Sequence, residues 1–276
     1  LPATLGSRQA LAYPDKAKIN AAFAPRRKLF LRPNRIFAVI PARLESTRLP
    51  RKVLREIAGK PLLAWVVEAA LRVPQLDGVI VAVDSVEVAT LCQQRGWTYQ
   101  MTSPDLASGT DRMHAVAEAL EKAHPADIYV NIQGDEPTLT EHHIAALLRP
   151  FELGEQVQAT TIRVLCTPEN IANPNAVKVV TGPDGRALYF SRATIPYDRE
   201  NTGNIQYWKH IGLYAYRAAT LKRFATLPPS ALEQIERLEQ LRLLENNIAL
   251  YVETVDHDTI GVDTEEDLRR VTTLLS

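Results

Sequence analysis

The chain has 276 residues, 46% of them hydrophobic and 23% charged, with a formal net charge of zero. That length can bury a sizeable core in one large domain or two small ones, and the balance excludes a disordered chain, a collagen and a coiled coil. No apolar run approaches the roughly 18 residues of a membrane span, and the longest, around 62–67, is far shorter.

The zero net charge conceals an asymmetry. Residues 1–35 hold eight Lys or Arg and one acid, Asp15, and carry +7; the other 241 residues hold 24 basic and 31 acidic groups and carry −7. An acidic body argues against nucleic acid as a partner. The basic head contains Pro2, Pro14, Pro25 and Pro33 and shows no sustained periodicity. It reads as a poorly ordered extension, although a targeting segment has the same composition. The two cysteines, Cys92 and Cys166, are too few for a disulfide framework. They read as reduced and structural, which fits the cytoplasm.

From Ile36 the pattern changes. The run IFAVIPA (36–42) predicts a buried strand followed by a loop. Helical spacing follows over 61–73, then a β-branched strand over 79–83 between Gly78 and Asp84. A helix over 86–95 stops at Gly96. A short strand over 97–101, a helix over 111–122 and a strand over 128–132 complete the first half. Strands alternating with helices of this length mean βαβ units and a parallel sheet. The second half reads differently. Stretches 158–164, 176–181, 187–191 and 207–216 are extended, and GPDG (182–185) is a turn. A long helix is expected over 231–244 with Ser230 as N-cap, then a strand over 248–255 and a helix over 264–275. The expected fold is one α/β domain over 36–276, a mixed sheet flanked by helices, with an antiparallel portion in its second half.

The common nucleotide fingerprints are absent. No two glycines lie two apart, so there is no G-x-G; Leu54 replaces the first glycine that a P-loop ending at Gly59-Lys60 needs. Neither H-E-x-x-H nor paired C-x-x-C occurs, so any metal is a hard cation held by carboxylates and substrate phosphates. The loop after the first strand instead carries Arg43, Arg48 and Lys52 with two hydroxyls. Ligands of open parallel sheets bind at the carboxyl ends of strands, and three cations there suit a triphosphate. A solvated basic loop has the same composition. Asp135 follows the strand IYVNI within QGDEP (133–137), and Asp263 precedes the last helix within GVDT (261–264). Each can hold Mg²⁺; each can also be a turn residue or an N-cap.

Together these segments resemble a known family. IPARLESTRLP-x-K, SGTDR (108–112), NIQGDEP (131–137), NPNAVKVV (173–180), ALYFSRATIP (187–196), KHIGLYAYR (209–217), LEQLR (238–242) and GVDT are similar, in order, to the 3-deoxy-manno-octulosonate (Kdo) cytidylyltransferases. The match runs from about Phe37 to the C-terminus and omits only the basic head. The resemblance implies a nucleotidyltransferase α/β fold, a homodimer and Mg²⁺ dependence. It implies the reaction of CTP with Kdo to give CMP-Kdo and pyrophosphate, which serves lipopolysaccharide assembly. It further implies that Arg43 and Lys52 bind the CTP phosphates, with Ser108, Gly109, Arg112 and Gln133 at the nucleotide. Asp135 and Asp263 would hold Mg²⁺. Arg192, His210, Tyr214, Glu239 and Gln240 would line the sugar-acid site. One departure stands out: the family usually has Gly where this chain has Arg51, and Gly there would tolerate positive φ.

Taken alone, several of these residues have plainer readings. Arg192 can grip a carboxylate with both arms of its fork or form a surface ion pair. His210 can be a core histidine, and Tyr214, four residues on, shares its strand face and can simply pack against it. Glu239 and Gln240 can sit on the solvated side of the 231–244 helix, whose apolar stripe is Leu232, Ile235, Leu238, Leu241 and Leu244. Two other functions remain open: transfer to a related sugar acid, and a binding protein on an inactive transferase fold. The expected chemistry is direct in-line attack by the sugar hydroxyl on the α-phosphorus, without a covalent intermediate.

Overall fold

The computed structural model describes residues 34–106 and 108–276. Most of the basic head, residues 1–33, lies outside the described residues.

IFAVIPA becomes strand β1 (Ile36–Ala42), almost wholly buried. A small antiparallel pair, β2 (Glu56–Ile57) and β3 (Lys60–Pro61), precedes helix α1 (Leu62–Leu71). Then come β4 (Gly78–Val83), α2 (Val86–Arg95), β5 (Tyr99–Met101), α3 (Gly109–Leu120), β6 (Ile128–Asn131) and α4 (Glu141–Leu148). Strand β7 (Ala159–Leu165), the one-turn helix α5 (Pro168–Ile171), β8 (Lys178–Thr181), β9 (Ala187–Ser191) and β10 (Trp208–Arg217) follow. The chain closes with α6 (Ala218–Thr226), α7 (Ala231–Glu236), α8 (Leu241–Glu245), β11 (Leu250–Val255) and α9 (Glu265–Leu275).

The main sheet runs β11-β7-β10-β6-β1-β4-β5, with β8 paired to β10 and to β9. The pairs β6–β1, β1–β4, β4–β5 and β7–β11 are parallel; β10 lies antiparallel to β6 and β7. The mixed sheet expected from the sequence is therefore present, with β8 to β10 as its antiparallel portion. The chain leaves β1 toward β4 and β5, then returns to β6 on the other side of β1. This reversal opens a crevice at the carboxyl ends of β1 and β6, where open α/β sheets bind ligands.

Alternation along β1 fills two cores. Ala38, Ile40 and Ala42 pack with α1, α2 and α4; Phe37 and Val39 pack with α3, α6 and α8. A third cluster joins distant segments: Leu49, Ile57 and Leu62 against Val262, Leu268 and Val271. It clamps the loop after β1 to the C-terminal helix.

Several local expectations meet their physical cause. Ser85 caps α2 by accepting from the Val88 amide, and Gly96 ends it at φ 68°. The β8–β9 turn closes with Gly185 at φ 79°. Helix α3 starts two residues before the expected Asp111, because Ser108 and Asp111 form a reciprocal capping box. Helices α4 and α6 were not expected from the sequence.

The continuous helix over 231–244 is a correction. Arg237 adopts φ 55° and ends α7. The Arg192 guanidinium captures the Glu236 carbonyl at 2.8 Å and the Arg237 carbonyl at 3.4 Å, which a continuing helix would have used. Leu238 and Leu241 then turn into the core while Ile235 stays exposed. The regular stripe read from the sequence is thus divided by tertiary hydrogen bonds.

Candidate active site

Three segments meet at the crevice. From the loop after β1 comes Lys52, from the loop after β6 Asp135, and from the turn before α9 Asp263. Lys52 Nζ donates to Asp135 Oδ2 at 2.6 Å and to Asp263 Oδ1 at 2.9 Å. Arg48 reaches the other Asp263 oxygen at 2.8 Å. The Val262 amide donates to the Asp135 carbonyl at 2.9 Å, so the backbone itself fastens the two carboxylate segments together. Burial alone would lower the Lys52 pKa, but the two carboxylates outweigh it and the net shift is upward. Asp263 is not the N-cap that its position suggested. Thr264 holds that role, accepting from the Asp267 amide. The Asp263 side chain is left to the cations.

Gly134 makes this approach possible. A Cβ there would sit 2.5 Å from the Pro41 carbonyl oxygen. Only glycine lets the loop after β6 lie against the end of β1. Arg51 occupies the left-handed region at φ 57°, as the expected glycine would, and its side chain pairs with Glu87.

Asp84, at the end of β4, was overlooked in the sequence. It accepts from the Leu44 amide at 2.9 Å and lies 4.0 Å from Arg43 and 3.5 Å from Arg112. A carboxylate directly after a buried strand was the signal available. Arg43 is half exposed at the crevice. Arg112 is fully buried; one of its terminal nitrogens donates to Thr102 Oγ1 at 2.6 Å and the Ser103 carbonyl at 3.2 Å. Its Nε and other terminal nitrogen have no hydrogen-bond partner. Burial lowers its pKa, opposed by Asp84, yet a guanidinium stays charged. Ser108 and Gly109 form the N-terminus of α3, which favours anions. Gln133 is half-buried just after β6, and beyond it Glu136 Oε2 is buried without a partner. Burial, then the neighbouring Asp135, push the Glu136 carboxyl up to about 7.

A second group gathers beside the first. On β10 the rings of His210 and Tyr214 lie 5.5 Å apart, and His210 meets Phe190 edge-on at 4.9 Å. The shared face survives a register shift between Ile211 and Tyr214. Thr161 Oγ1 donates to the Leu213 carbonyl at 2.7 Å and lies 2.9 Å from His210 Nε2. With the hydroxyl proton committed, His210 Nε2–H must be the donor, which leaves Nδ1 as an acceptor. Burial drives the His210 pKa down to about 3, and Lys209 adds to this. The ring is therefore neutral at pH 7. Unfolded His210 takes up its proton near pH 6.5, so this group's contribution to stability is present above that pH. It is lost as pH falls toward about 3, by up to about 1.4 kcal/mol per pH unit. An NMR titration of the folded protein should show His210 neutral at pH 5; a midpoint near 6.5 would refute the assignment.

Glu239 and Gln240 sit at the break between α7 and α8 rather than on a solvated helix face; Gln240 is buried. Burial raises the Glu239 pKa against the opposing Thr110 hydroxyl and Arg242. Arg192 stands slightly apart. Its guanidinium donates to the main-chain carbonyls of Glu236, Pro174 and Arg237. It joins neither the lysine–carboxylate group nor the His210 group by any of these bonds. Lys178, fully buried, spends its three protons on the carbonyls of Asn173, Ala176 and Arg192. The lysine of NPNAVKVV is thus a tie between loops.

Among the described residues no three His, Cys, Asp or Glu side chains cluster as a metal cage. Asp135 and Asp263 nonetheless converge on one cation, the Lys52 ammonium, and remain partly open to solvent. Two hard carboxylates with room for water and phosphate are the donor set that suits Mg²⁺.

A parallel α/β core with cations and paired carboxylates at the switch between β1 and β6 is the arrangement of a nucleotidyltransferase. The cytidylyltransferase family model matches residues 37–254. A 3-deoxy-manno-octulosonate cytidylyltransferase from Acidobacterium capsulatum is 62% identical over 240 residues, spanning 87% of this chain and 96% of its own. Its counterpart from Koribacter versatilis is 55% identical over 238 residues, with 86% and 89% covered. A solved structure described as CMP:2-keto-3-deoxy-manno-octonic acid synthetase complexed with CTP superposes with a TM-score of 0.82 at 40% identity, covering 87% of this chain and 98% of that one. The chain belongs to the 3-deoxy-manno-octulosonate cytidylyltransferase family.

Proposed function

We propose that the protein transfers CMP from CTP to Kdo, releasing pyrophosphate and giving CMP-Kdo for lipopolysaccharide assembly. The observation that carries this reading is the convergence of Lys52 with Asp135 and Asp263 beside the group formed by buried His210 and half-buried Tyr214 and Glu239. A cluster of cations and carboxylates and a group of hydrogen-bonding side chains thus lie next to one another.

Arg43, Arg48 and Lys52 neutralise the triphosphate, and the N-terminus of α3 adds the amides that follow Ser108. Arg112, fully buried beside Asp84, backs the nucleotide side from within, and the half-buried side chain of Gln133 is available to the nucleotide. His210 Nδ1 accepts from a sugar hydroxyl, while Glu239 and Gln240 hold further hydroxyls. Arg192 belongs to this site through the residues it orders, 236 and 237, and offers its guanidinium edge to the sugar carboxylate. The anomeric hydroxyl attacks the α-phosphorus, its proton is lost to solvent, and the bond to the β-phosphate oxygen breaks. Holding the two substrates in line and offsetting charge supplies most of the acceleration. Asp135 and Asp263 would hold Mg²⁺, which when bound lowers the pKa of a coordinated hydroxyl and neutralises phosphate charge. Lys52 is then free to turn from the carboxylates toward the phosphates.

The reading extends to a two-fold homodimer built on the antiparallel portion, 158–217. Leu165, Leu188 and Tyr197 stand exposed there, which supports an interface. Light scattering should return twice the chain mass, and a monomer at micromolar concentration would sink the dimer. Among the described residues no helix is long and apolar enough to cross a membrane. A cytoplasmic setting is supported by the free, buried Cys92 and Cys166, the former with its thiol pushed up to about 12 by burial.

Pyrophosphate release with CTP, Mg²⁺ and Kdo tests the function. Turnover is expected with Kdo and much less with its 8-amino analogue or a sialic acid. Preference for another acid would reassign the substrate, and CTP binding without turnover of any would reduce the protein to a binding module.

A further inference from the structure

The segment SGTDR supplies Ser108 and Arg112 to the nucleotide side, but its middle residue faces elsewhere. Thr110 is 3% exposed, and its Oγ1 donates to Glu239 Oε2 at 2.8 Å across 129 residues of sequence. Glu239 has few other partners. Arg242 approaches its second oxygen only to 3.8 Å and is itself engaged with Glu233 at 2.5 and 2.7 Å. The Ser108 hydroxyl is a second, weaker hydrogen-bond partner of the Glu239 carboxylate. Beneath Thr110 sits the Tyr216 hydroxyl, on a ring 1% exposed and stacked between Tyr214 and Phe224. The threonine is thus held from below and has one carboxylate to meet. Glu239 sits where α7 and α8 break, in a stretch without continuous helical hydrogen bonds to fix its direction.

We propose that Thr110 is the positioning residue that orients Glu239 for the sugar acid, tying the acceptor site to the helix end that receives the nucleotide. The inference rests on placing Glu239 in the sugar-acid site. A half-buried carboxylate deprived of its closest donor, Thr110, rotates toward solvent, Ser108 or Arg242, and each motion withdraws it from the acceptor. Because Thr110 is the first turn of α3, its loss should disturb the acceptor side while the cations and capping box on the nucleotide side keep their partners.

The experiment is steady-state kinetics with CTP and Kdo on Thr110→Val, Thr110→Ser, Glu239→Gln and the Thr110→Val/Glu239→Gln double variant. Melting temperatures are measured alongside, and Thr110→Ala substitutes where the branched methyl of valine impairs folding. Thr110→Val should raise the KM for Kdo about tenfold, the size of one lost hydrogen bond to a charged group, and change the KM for CTP less than about twofold. Thr110→Ser, which keeps the hydroxyl, should restore it. The double variant should be no worse than Glu239→Gln alone, because both remove the same interaction. A raised KM for Kdo in Glu239→Gln but not in Thr110→Val would overturn the proposal. So would an equal rise in both KM values, or a failure of Thr110→Ser to restore. An unchanged KM for Kdo in Glu239→Gln would instead overturn the sugar-site assignment, and the proposal with it.

Discussion

Asp135→Asn and Asp263→Asn should each slow the chemical step by on the order of 10²-fold or more, about 2.7 kcal/mol. Asparagine keeps the shape of the side chain and removes one of the two carboxylate charges that meet at Lys52. If these groups hold Mg²⁺, the loss falls on the step in which charge develops at the α-phosphate. CTP affinity should fall much less, since Arg43 and Lys52 remain. A purely structural Asp263 makes a different forecast: slight destabilisation and full turnover. The cap of α9 is Thr264, so even that small cost loses its main cause. Single-turnover rates with a CTP binding isotherm separate the two. Near wild-type turnover in either variant would remove that residue from the metal site.

The parts of the fold that sequence revealed are those whose signals are local. β1 and β4 read as apolar runs between polar loops, and the end of α2 was marked by Gly96 directly after its last residue. The helix over 231–244 misled for the opposite reason. Its periodicity was sound over fourteen residues, but the bonds that divide it come from Arg192, more than forty residues earlier. Short helices such as α4 and α6 carry too few turns for the spacing of apolar residues to stand out.

The site shows the same division. Asp135 and Asp263 could be nominated because each borders a recognisable element. That Lys52 lies between them depends on the Leu49–Val262 cluster and the Val262–Asp135 backbone bond, which no window of sequence contains. Arg51 was legible in reverse: the expected glycine marked a position of positive φ, and the arginine adopts it at 57°. Thr161 and Thr110 were illegible, because a buried hydroxyl aimed at a distant side chain leaves no trace in spacing.

Gly134→Ala should damage both stability and chemistry. The backbone at this glycine is not left-handed, so conformational freedom is not the issue; space is. An added Cβ would lie 2.5 Å from the Pro41 carbonyl oxygen and 3.6 Å from Ile40 Cγ2. Neither neighbour can easily yield, because β1 is hydrogen-bonded to β4 on one side and to β6 on the other. The loop after β6 must therefore move away. Overpacking of this kind costs about 1–3 kcal/mol of stability. The displaced residue next in sequence is Asp135, whose carbonyl holds Val262 and whose carboxylate holds Lys52. A misplacement of about 1 Å in a reacting assembly can cost on the order of 10²-fold in rate. Denaturant unfolding and turnover, the latter measured where the variant remains folded, give the two numbers. Wild-type stability would show that the loop has room to spare. Reduced stability with wild-type turnover would show that Asp135 keeps its place by means other than the close approach at Gly134.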